Sequence, residues 1–108
     1  MIRGTTPDYI LTVSDFDLTD KTVYVTMSQH DETMITLTGD RLSIAYENGA
    51  STIHFSLTQM ETFRFRNGTI DIQVRFIDSN DVAYATEIKT VAAERVLLNE
   101  VIGYVEQI

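Results

Sequence analysis

The stretch Ile70-Asp71-Ile72-Gln73-Val74-Arg75-Phe76 alternates apolar and polar residues without a break. Successive side chains of a β-strand point to opposite faces of a sheet. This alternation therefore predicts a strand with one face in the core and the other toward solvent.

The same pattern recurs on both sides of this stretch. Alternating or β-branched runs cover residues 9–13, 22–27, 33–38, 42–46, 53–57 and 82–93. Turn formers separate them, among which Asn48-Gly49 and Asn67-Gly68 tolerate positive φ. Runs 22–27 and 33–38 flank a short polar break, which predicts a hairpin. The predicted core comprises Val23, Val25, Met27, Ile35, Leu37, Leu42, Ile44, Ile53, Phe55, Leu57, Ile70, Ile72, Val74 and Phe76.

Residues 58–65 interrupt the alternation. Thr58 and Glu61 have the spacing of a capping box, in which each side chain bonds the other residue's backbone N–H. A short helical turn is therefore expected near residues 58–65, between two strands.

About seven or eight strands with regular turn signals predict an all-β protein. We expect an immunoglobulin-like antiparallel β-sandwich in shape only, because the chain has neither cysteine nor tryptophan. A small barrel is the alternative. Residues 1–95 are expected to form the sandwich domain, and residues 96–108 an apolar C-terminal arm or last strand.

Charge and composition restrict the partners. The 108 residues include 8 Lys and Arg against 16 Asp and Glu, a formal net charge of −8. This excess repels nucleic-acid backbones and anionic lipid, so neither partner is expected. No apolar run approaches the roughly 18 residues of a membrane helix. The absence of cysteine excludes disulfides, thiolate catalysis and cysteine-ligated zinc.

No catalytic motif stands out in the sequence. His30 and His54 are the only histidines, and they lack the spacing of metal ligands or the partners of a general base. We therefore expect no enzymatic activity and no cofactor. Asp15, Asp17 and Asp20 are weak candidates for calcium ligands. Their spacing lacks the glycine and the final glutamate of an EF-hand, so a solvated acidic loop is the preferred interpretation.

The C-terminal residues are rich in apolar side chains. They could fold back as an extra strand or pair with the sheet edge of another subunit, which would give a homo-oligomer. The candidate interaction residues are Val96, Leu97, Leu98, Val101, Ile102, Tyr104, Val105 and Ile108.

Three segments resemble a family of short phage and prophage tail-associated proteins of Gram-positive gut bacteria. They are Met1-Ile2-Arg3-Gly4-Thr5-Thr6-Pro7, the stretch from Ile53 to Thr62, and Glu87-Ile88-Lys89-Thr90-Val91 followed by Arg95-Val96-Leu97. The family is in turn similar to the N-terminal, virion-facing domain of siphophage upper baseplate proteins. The resemblance covers the start, middle and end of the chain.

This resemblance implies a structural role without catalytic residues. The expected protein is a non-catalytic module of a tail or baseplate, made in the host bacterial cytoplasm, located in the virion and bound to other tail or baseplate proteins. The alternative is a module that binds carbohydrate or the host surface. Tyr24 is its candidate contact, because it alternates away from Val23 and Val25.

Overall fold

A computed structural model of the chain describes residues 1–97 and 100–103; Leu98, Asn99 and residues 104–108 lie outside the described residues. The described elements, in chain order, are β1 (Asp8–Ser14), β2 (Thr22–Gln29), β3 (Glu32–Thr38), a 3-10 turn (Gly39–Arg41), β4 (Ser43–Glu47), β5 (Ala50–Ser56), α1 (Gln59–Thr62), β6 (Gly68–Ile77), β7 (Ala83–Ala85) and β8 (Lys89–Ala93). The predicted all-β sandwich is confirmed. None of the helices among these residues is long and apolar enough to cross a membrane.

The strands form two antiparallel sheets. The first has the order β1-β5-β4, and the second has the order β3-β2-β6. Strands β7 and β8 pair with successive parts of β6 in the second sheet. Strand β6 contains the alternating stretch 70–76, and β2 pairs with it so that Val25 lies opposite Val74 and Met27 opposite Ile72.

Two tight turns set the hairpin registers. Asn48 (φ 54°) and Gly49 (φ 79°) connect β4 to β5, and His30 (φ 53°) and Asp31 (φ 61°) connect β2 to β3. Positive φ at both central residues gives a turn whose twist matches that of the paired strands. The predicted hairpin of residues 22–38 is confirmed.

The core lies between the two sheets. All predicted core residues are buried except Leu42 and Ile44, which are half-buried and pack against its margin. Their strand is an edge strand of the smaller sheet, so one side of these residues remains open. Both residues therefore pack against the core, as predicted, but at its margin rather than inside it. Two loop residues without alternation, Leu18 and Phe65, are in contrast completely enclosed.

The predicted helical turn forms the corner between the sheets. Helix α1 joins β5 of the first sheet to β6 of the second. The Thr58 hydroxyl accepts the Glu61 N–H at 3.1 Å, and the Glu61 carboxylate accepts the Thr58 N–H at 2.9 Å. The capping box predicted from the spacing of these residues is confirmed.

Candidate functional site

A cleft of about 630 Å³ lies between the two sheets. Residues 11–14 of β1 form one wall, and β6 with the segment 84–89 forms the other. Strand β1 lies at the edge of the three-stranded sheet, whereas β7 and β8 lie at the edge of the larger one. The cleft therefore opens along the side of the sandwich.

The base of the cleft is apolar. Leu11 and Val13 face Ile72 and Val74 across it. Three aromatic rings, Phe16, Phe76 and Tyr84, close its end with centroid separations of 5.0–5.1 Å. Phe76 is buried, while Phe16 and Tyr84 are half-buried and reach the opening. A ligand that displaces water from an apolar base of this kind binds with a favourable hydrophobic contribution to its free energy.

The rim of the cleft is polar because the edge of the second sheet is interrupted. The Thr86 N–H donates to the Val74 carbonyl at 2.9 Å, and the Thr86 hydroxyl accepts the Val74 N–H at 3.1 Å. Thr86 lies between β7 and β8 in the chain, and its two bonds to Val74 take the place of regular strand pairing with β6 there. The other polar residues that line the cleft are Thr12, Ser14, Glu87 and Lys89.

A second candidate surface is the outer face of the larger sheet. Tyr24 is 40% exposed there and lies opposite Arg75 on the neighbouring strand. Thr26 and Thr36 join these two residues in lining a shallow depression of about 350 Å³. The prediction that Tyr24 points away from the core is confirmed, and the face around it is rich in hydroxyl groups.

The first of the three segments that carry the family resemblance contacts the second at the helical corner and pairs with Glu94, which lies between the two parts of the third. The Arg3 N–H donates to the Glu94 carbonyl at 3.0 Å, and the Gly4 N–H donates to the Thr62 hydroxyl at 2.8 Å. Gly4 has φ 81°, and a Cβ atom there would lie 2.8 Å from the Phe63 ring. A side chain at position 4 would therefore disturb the packing of residues 1–5, here called the N-terminal strap, against the corner.

Only part of the predicted C-terminal interaction surface lies among the described residues. Leu98, Tyr104, Val105 and Ile108 fall outside them, and the described members are Val96, Leu97, Val101 and Ile102. Leu97 is 90% exposed and Ile102 is 59% exposed, whereas Val96 and Val101 are half-buried.

One glutamine holds the C-terminal stretch against the corner. The Gln59 amide donates to the Ile102 carbonyl at 2.7 Å and accepts the Ile102 N–H at 2.8 Å. Val101 lines a groove beside Met60, which is 70% exposed. Sequence reasoning missed this contact, because no periodicity relates a polar helix residue to a segment 43 positions later.

The candidate calcium loop uses its polar groups internally. The Thr19 hydroxyl donates to the Asp17 carboxylate at 2.5 Å and the Thr19 N–H at 3.0 Å, and these bonds, the hydroxyl first, lower the pKa of Asp17. The Lys21 ammonium donates to the Asp17 carbonyl at 2.7 Å and to the Asp20 carboxylate at 3.1 Å. Asp15 has φ 70° and donates its N–H to the Gly49 carbonyl. Within residues 1–97 and 100–103, no group of three or more acidic or histidine side chains is arranged to hold a metal ion.

The titratable residues elsewhere stand apart from the cleft. His54 is exposed on the outer face of the first sheet, with its Nε2 4.0 Å from an Asp8 oxygen. His30 lies in the hairpin turn. Arg41 donates two hydrogen bonds to Glu61, at 2.7 and 2.9 Å, and these lower the pKa of Glu61 and raise that of Arg41.

Comparison with known proteins gives a likeness of fold. No protein-family model and no curated protein matches the chain. Among solved structures, it is similar to a Listeria monocytogenes EGD-e protein in complex with α-D-glucose, β-D-glucose, magnesium and calcium. It is also similar to the cycloalternan-forming enzyme of Listeria monocytogenes in complex with a pentasaccharide substrate.

The two structural matches have the same score, identity and coverage. Each has a TM-score of 0.53 and 14% identity, and covers 83% of this chain. This chain spans 8% of the length of either protein. At that identity the comparison establishes a shared sandwich fold.

Proposed function

We propose that this protein is a non-catalytic structural and interaction module of a bacteriophage or prophage tail or baseplate, incorporated into the virion after synthesis in the host cytoplasm. The observation that carries the proposal is the position of the three segments that resemble tail-associated proteins. The first segment contacts Thr62 of the second segment, and it also contacts Ala92 and Glu94, which lie between the two parts of the third, although all three segments are far apart in the sequence.

The corner gives the resemblance a physical basis. The strap of residues 1–5 pairs with Glu94 beyond the last strand and bonds Thr62 in the helical turn. The Met1 ammonium also donates to the Ala92 carbonyl at 2.7 Å. Residues 1–4 therefore bond both the helical turn and the chain at the end of β8, which supports interpreting the motifs as parts of one structural unit.

Mass spectrometry of purified virions tests this role. Particles induced from the source bacterium should contain the protein in a constant ratio to known tail proteins, and its gene should lie among morphogenesis genes. Absence from the particles, together with neighbouring genes unrelated to assembly, would show that the tail assignment is wrong.

Carbohydrate binding is the second candidate function, and the exposed Tyr24 is the observation that favours it. An aromatic ring can stack against the apolar face of a sugar while nearby polar groups bond its hydroxyls. Arg75, Thr26 and Thr36 surround Tyr24 at this surface. The Listeria proteins that share the fold were crystallised with glucose or a pentasaccharide, which gives this candidate limited further support.

A glycan array with a matched pair of variants tests the second candidate. Tyr24→Ala should abolish binding, because it removes the stacking surface. Tyr46→Ala is the control, since Tyr46 is similarly exposed but lies on β4 in the other sheet. Equal loss in both variants, or no binding by the unmodified protein, would contradict a sugar site at Tyr24.

A further inference from the structure

Strand β1 forms the edge of the smaller sheet on the side where the cleft opens. Its seven residues pair with β5 without a register shift, and no other described strand pairs with them. Natural sheets block such edges with bulges, prolines or lysines. The stretch Tyr9-Ile10-Leu11-Thr12-Val13 contains none of these, so the edge is open to an added strand.

The hydrogen bonds at the two ends of the β1–β5 pair show which residues carry free main-chain groups. The Leu57 N–H donates to the Pro7 carbonyl before β1 begins. The Asp15 N–H donates to the Gly49 carbonyl just after β1 ends. Bonded and non-bonded pairs alternate along an antiparallel ladder. The odd-numbered residues of β1 therefore bond β5, whereas the even-numbered ones, such as Thr12, direct their N–H and C=O groups toward the free edge.

The cleft has room for the side chains of a strand added at this edge. Thr12 and Ser14, whose main-chain groups point to the free edge, are among the residues that line it. Every second side chain of an added strand would point inward, toward Ile72, Val74 and the half-buried ring of Tyr84. Main-chain bonds and inward pockets together are the basis of recognition by strand addition.

The charges around the edge indicate the chemistry of its occupant. Asp8 begins β1, Asp15 follows its end, and Glu87 lies on the opposite rim of the cleft. Lys89 is the cation among the residues that line the cleft. Carboxylates therefore exceed ammonium groups here, in a chain of net charge −8. A strand with lysine or arginine at its ends would be attracted to this edge.

The same charges disfavour a second copy of β1 as the added strand. Two β1 strands paired antiparallel over their full length would place residue 8 of one copy opposite residue 14 of the other. Asp8 of each copy would then lie beside Asp15 of the other, and like charges at neighbouring cross-strand positions are destabilising. The charges therefore favour a different, basic chain as the partner.

We infer that the cleft binds an extended segment of another protein, which adds to the free edge of β1 as a fourth strand of the smaller sheet. The segment has apolar residues at alternate positions, which fill the cleft, and lysine or arginine at its ends. Such a contact rests on the proposed structural role, because it would be the surface by which the module holds another tail or baseplate protein.

Synthetic peptides test the site, with binding measured by isothermal titration calorimetry at low ionic strength. The probe alternates valine and threonine over the length of β1 and carries one lysine at each end. We expect this peptide to bind. The same peptide with glutamate at both ends should bind at least about tenfold more weakly, because its charges repel those of the edge.

Methylation of the peptide backbone gives a matched pair of probes. The β1 residues with free main-chain groups have exposed side chains, and directly opposite residues share a face of the sheet. The threonines of the bound peptide therefore bond β1, while its valines point into the cleft. N-methylation of the threonines removes the N–H groups that face β1 and should abolish binding. N-methylation of the valines, whose N–H groups face away from β1, should leave most of the affinity.

Proline substitutions test the same edge in the protein. Thr12→Pro removes an N–H that makes no bond to β5, so the sandwich should stay folded while the lysine-ended peptide no longer binds. Tyr46→Pro is the control on β4, the opposite edge of the smaller sheet. The bonded Glu47–Ala50 pair closes the turn after β4, so the Tyr46 N–H also faces away from β5. This variant should bind the peptide as the unmodified protein does, and circular dichroism verifies that both variants fold.

Failure of the lysine-ended peptide to bind, binding that survives methylation of its threonines, or equal loss in Thr12→Pro and Tyr46→Pro would overturn the inference. Self-association of the protein that Thr12→Pro abolishes would identify a second copy as the occupant and would also overturn it. Peptide binding without presence in virions would remove the tail role and leave this site standing. Presence in virions without peptide binding would remove only the site.

Discussion

Two phenylalanines show how much a single core position matters in a sandwich of this size. Phe76 is buried beneath Phe16 and Tyr84, and Phe55 is buried with Tyr9 stacked on it at 5.3 Å. Replacing either by alanine removes the ring and leaves a space that the surrounding strands refill only in part. We expect Phe55→Ala and Phe76→Ala each to reduce the free energy of unfolding by about 3–5 kcal/mol.

Urea denaturation measures this loss, with Phe63→Ala as the matched control. Phe63 is half-buried at the corner rather than enclosed between the sheets, so its replacement should cost less. A Phe76→Ala protein that unfolds at the same urea concentration as the unmodified protein would contradict the burial of that ring.

Glu61 links stability to pH. The two hydrogen bonds from Arg41 are the main cause of its lowered pKa, and the Thr58 N–H contributes further. Because the folded pKa lies below the ordinary value of 4.5, the unfolded chain takes up this proton first as the pH falls. The stabilisation is therefore fully present above about pH 5 and is lost as the pH drops below 4.5 through the folded pKa.

Glu61→Gln isolates this contribution. The amide keeps the length of the side chain but removes its charge, and one side of Arg41 faces water, so we expect a loss of about 1 kcal/mol at pH 7. The difference between variant and unmodified protein should shrink from pH 5 to pH 3. Thermal unfolding across this range measures it, and a pH-independent difference would exclude the Arg41 pair as the cause.

Residue-level burial was predictable wherever side chains alternate. Val25, Ile72 and Val74 are buried as their spacing indicates. Leu18 and Phe65 could not be assigned in this way, since a loop residue has no periodicity to fix its direction. The loop that contains Leu18 is instead held by a buried polar side chain. Ser51 donates to the Phe16 carbonyl at 2.6 Å and accepts the Leu18 N–H.

Among the connecting elements, the acidic loop between β1 and β2 is predicted not to respond to calcium. The Lys21 ammonium already lies against oxygens of Asp17 and Asp20, so a cation would have to displace it. We expect the same melting temperature in millimolar calcium and in chelator, because a ligand that binds only the folded state would raise it. Differential scanning fluorimetry measures this, and a rise with calcium that Asp17→Asn abolishes would establish a site.

The last two strands show where an element could not be read from sequence. Residues 82–93 are rich in β-branched side chains and form a strand-like run in the sequence, with no signal that marks an interruption. The structure divides them into β7 and β8, because Thr86 bonds Val74 with both its N–H and its hydroxyl. A threonine suits a strand equally well, so its use in breaking the pairing depends on the tertiary context. The strand-like run therefore contains two strands, within the predicted seven or eight, but the break at Thr86 that forms the rim of the cleft was not predicted.

For the whole molecule, the number of strands was predictable but their distribution between sheets was not. Turn signals divide the chain locally, whereas pairing depends on contacts between distant residues, such as Gly68 of β6 with Ala93 of β8. The cleft results from this distribution, since it lies beside the edge of the smaller sheet. No single motif in the sequence could have indicated it.

The division at residue 95 remains a prediction, and truncation tests it. No described core residue lies beyond Ala93, so a chain that ends at Arg95 should keep its sandwich. It would lose the Gln59–Ile102 bonds and the packing of Val101, and exposed hydrogen bonds contribute about 1 kcal/mol each. We therefore expect a cooperative unfolding transition, with a free energy of unfolding about 1–2 kcal/mol lower than that of the full-length protein.

Gln59→Ala in the full-length chain should produce most of the same loss, because it removes both bonds and leaves residues 96–108 in place. If the truncated chain fails to fold while Gln59→Ala is as stable as the unmodified protein, residues 96–108 stabilise the domain through contacts other than the one at Gln59, and the boundary at residue 95 is wrong.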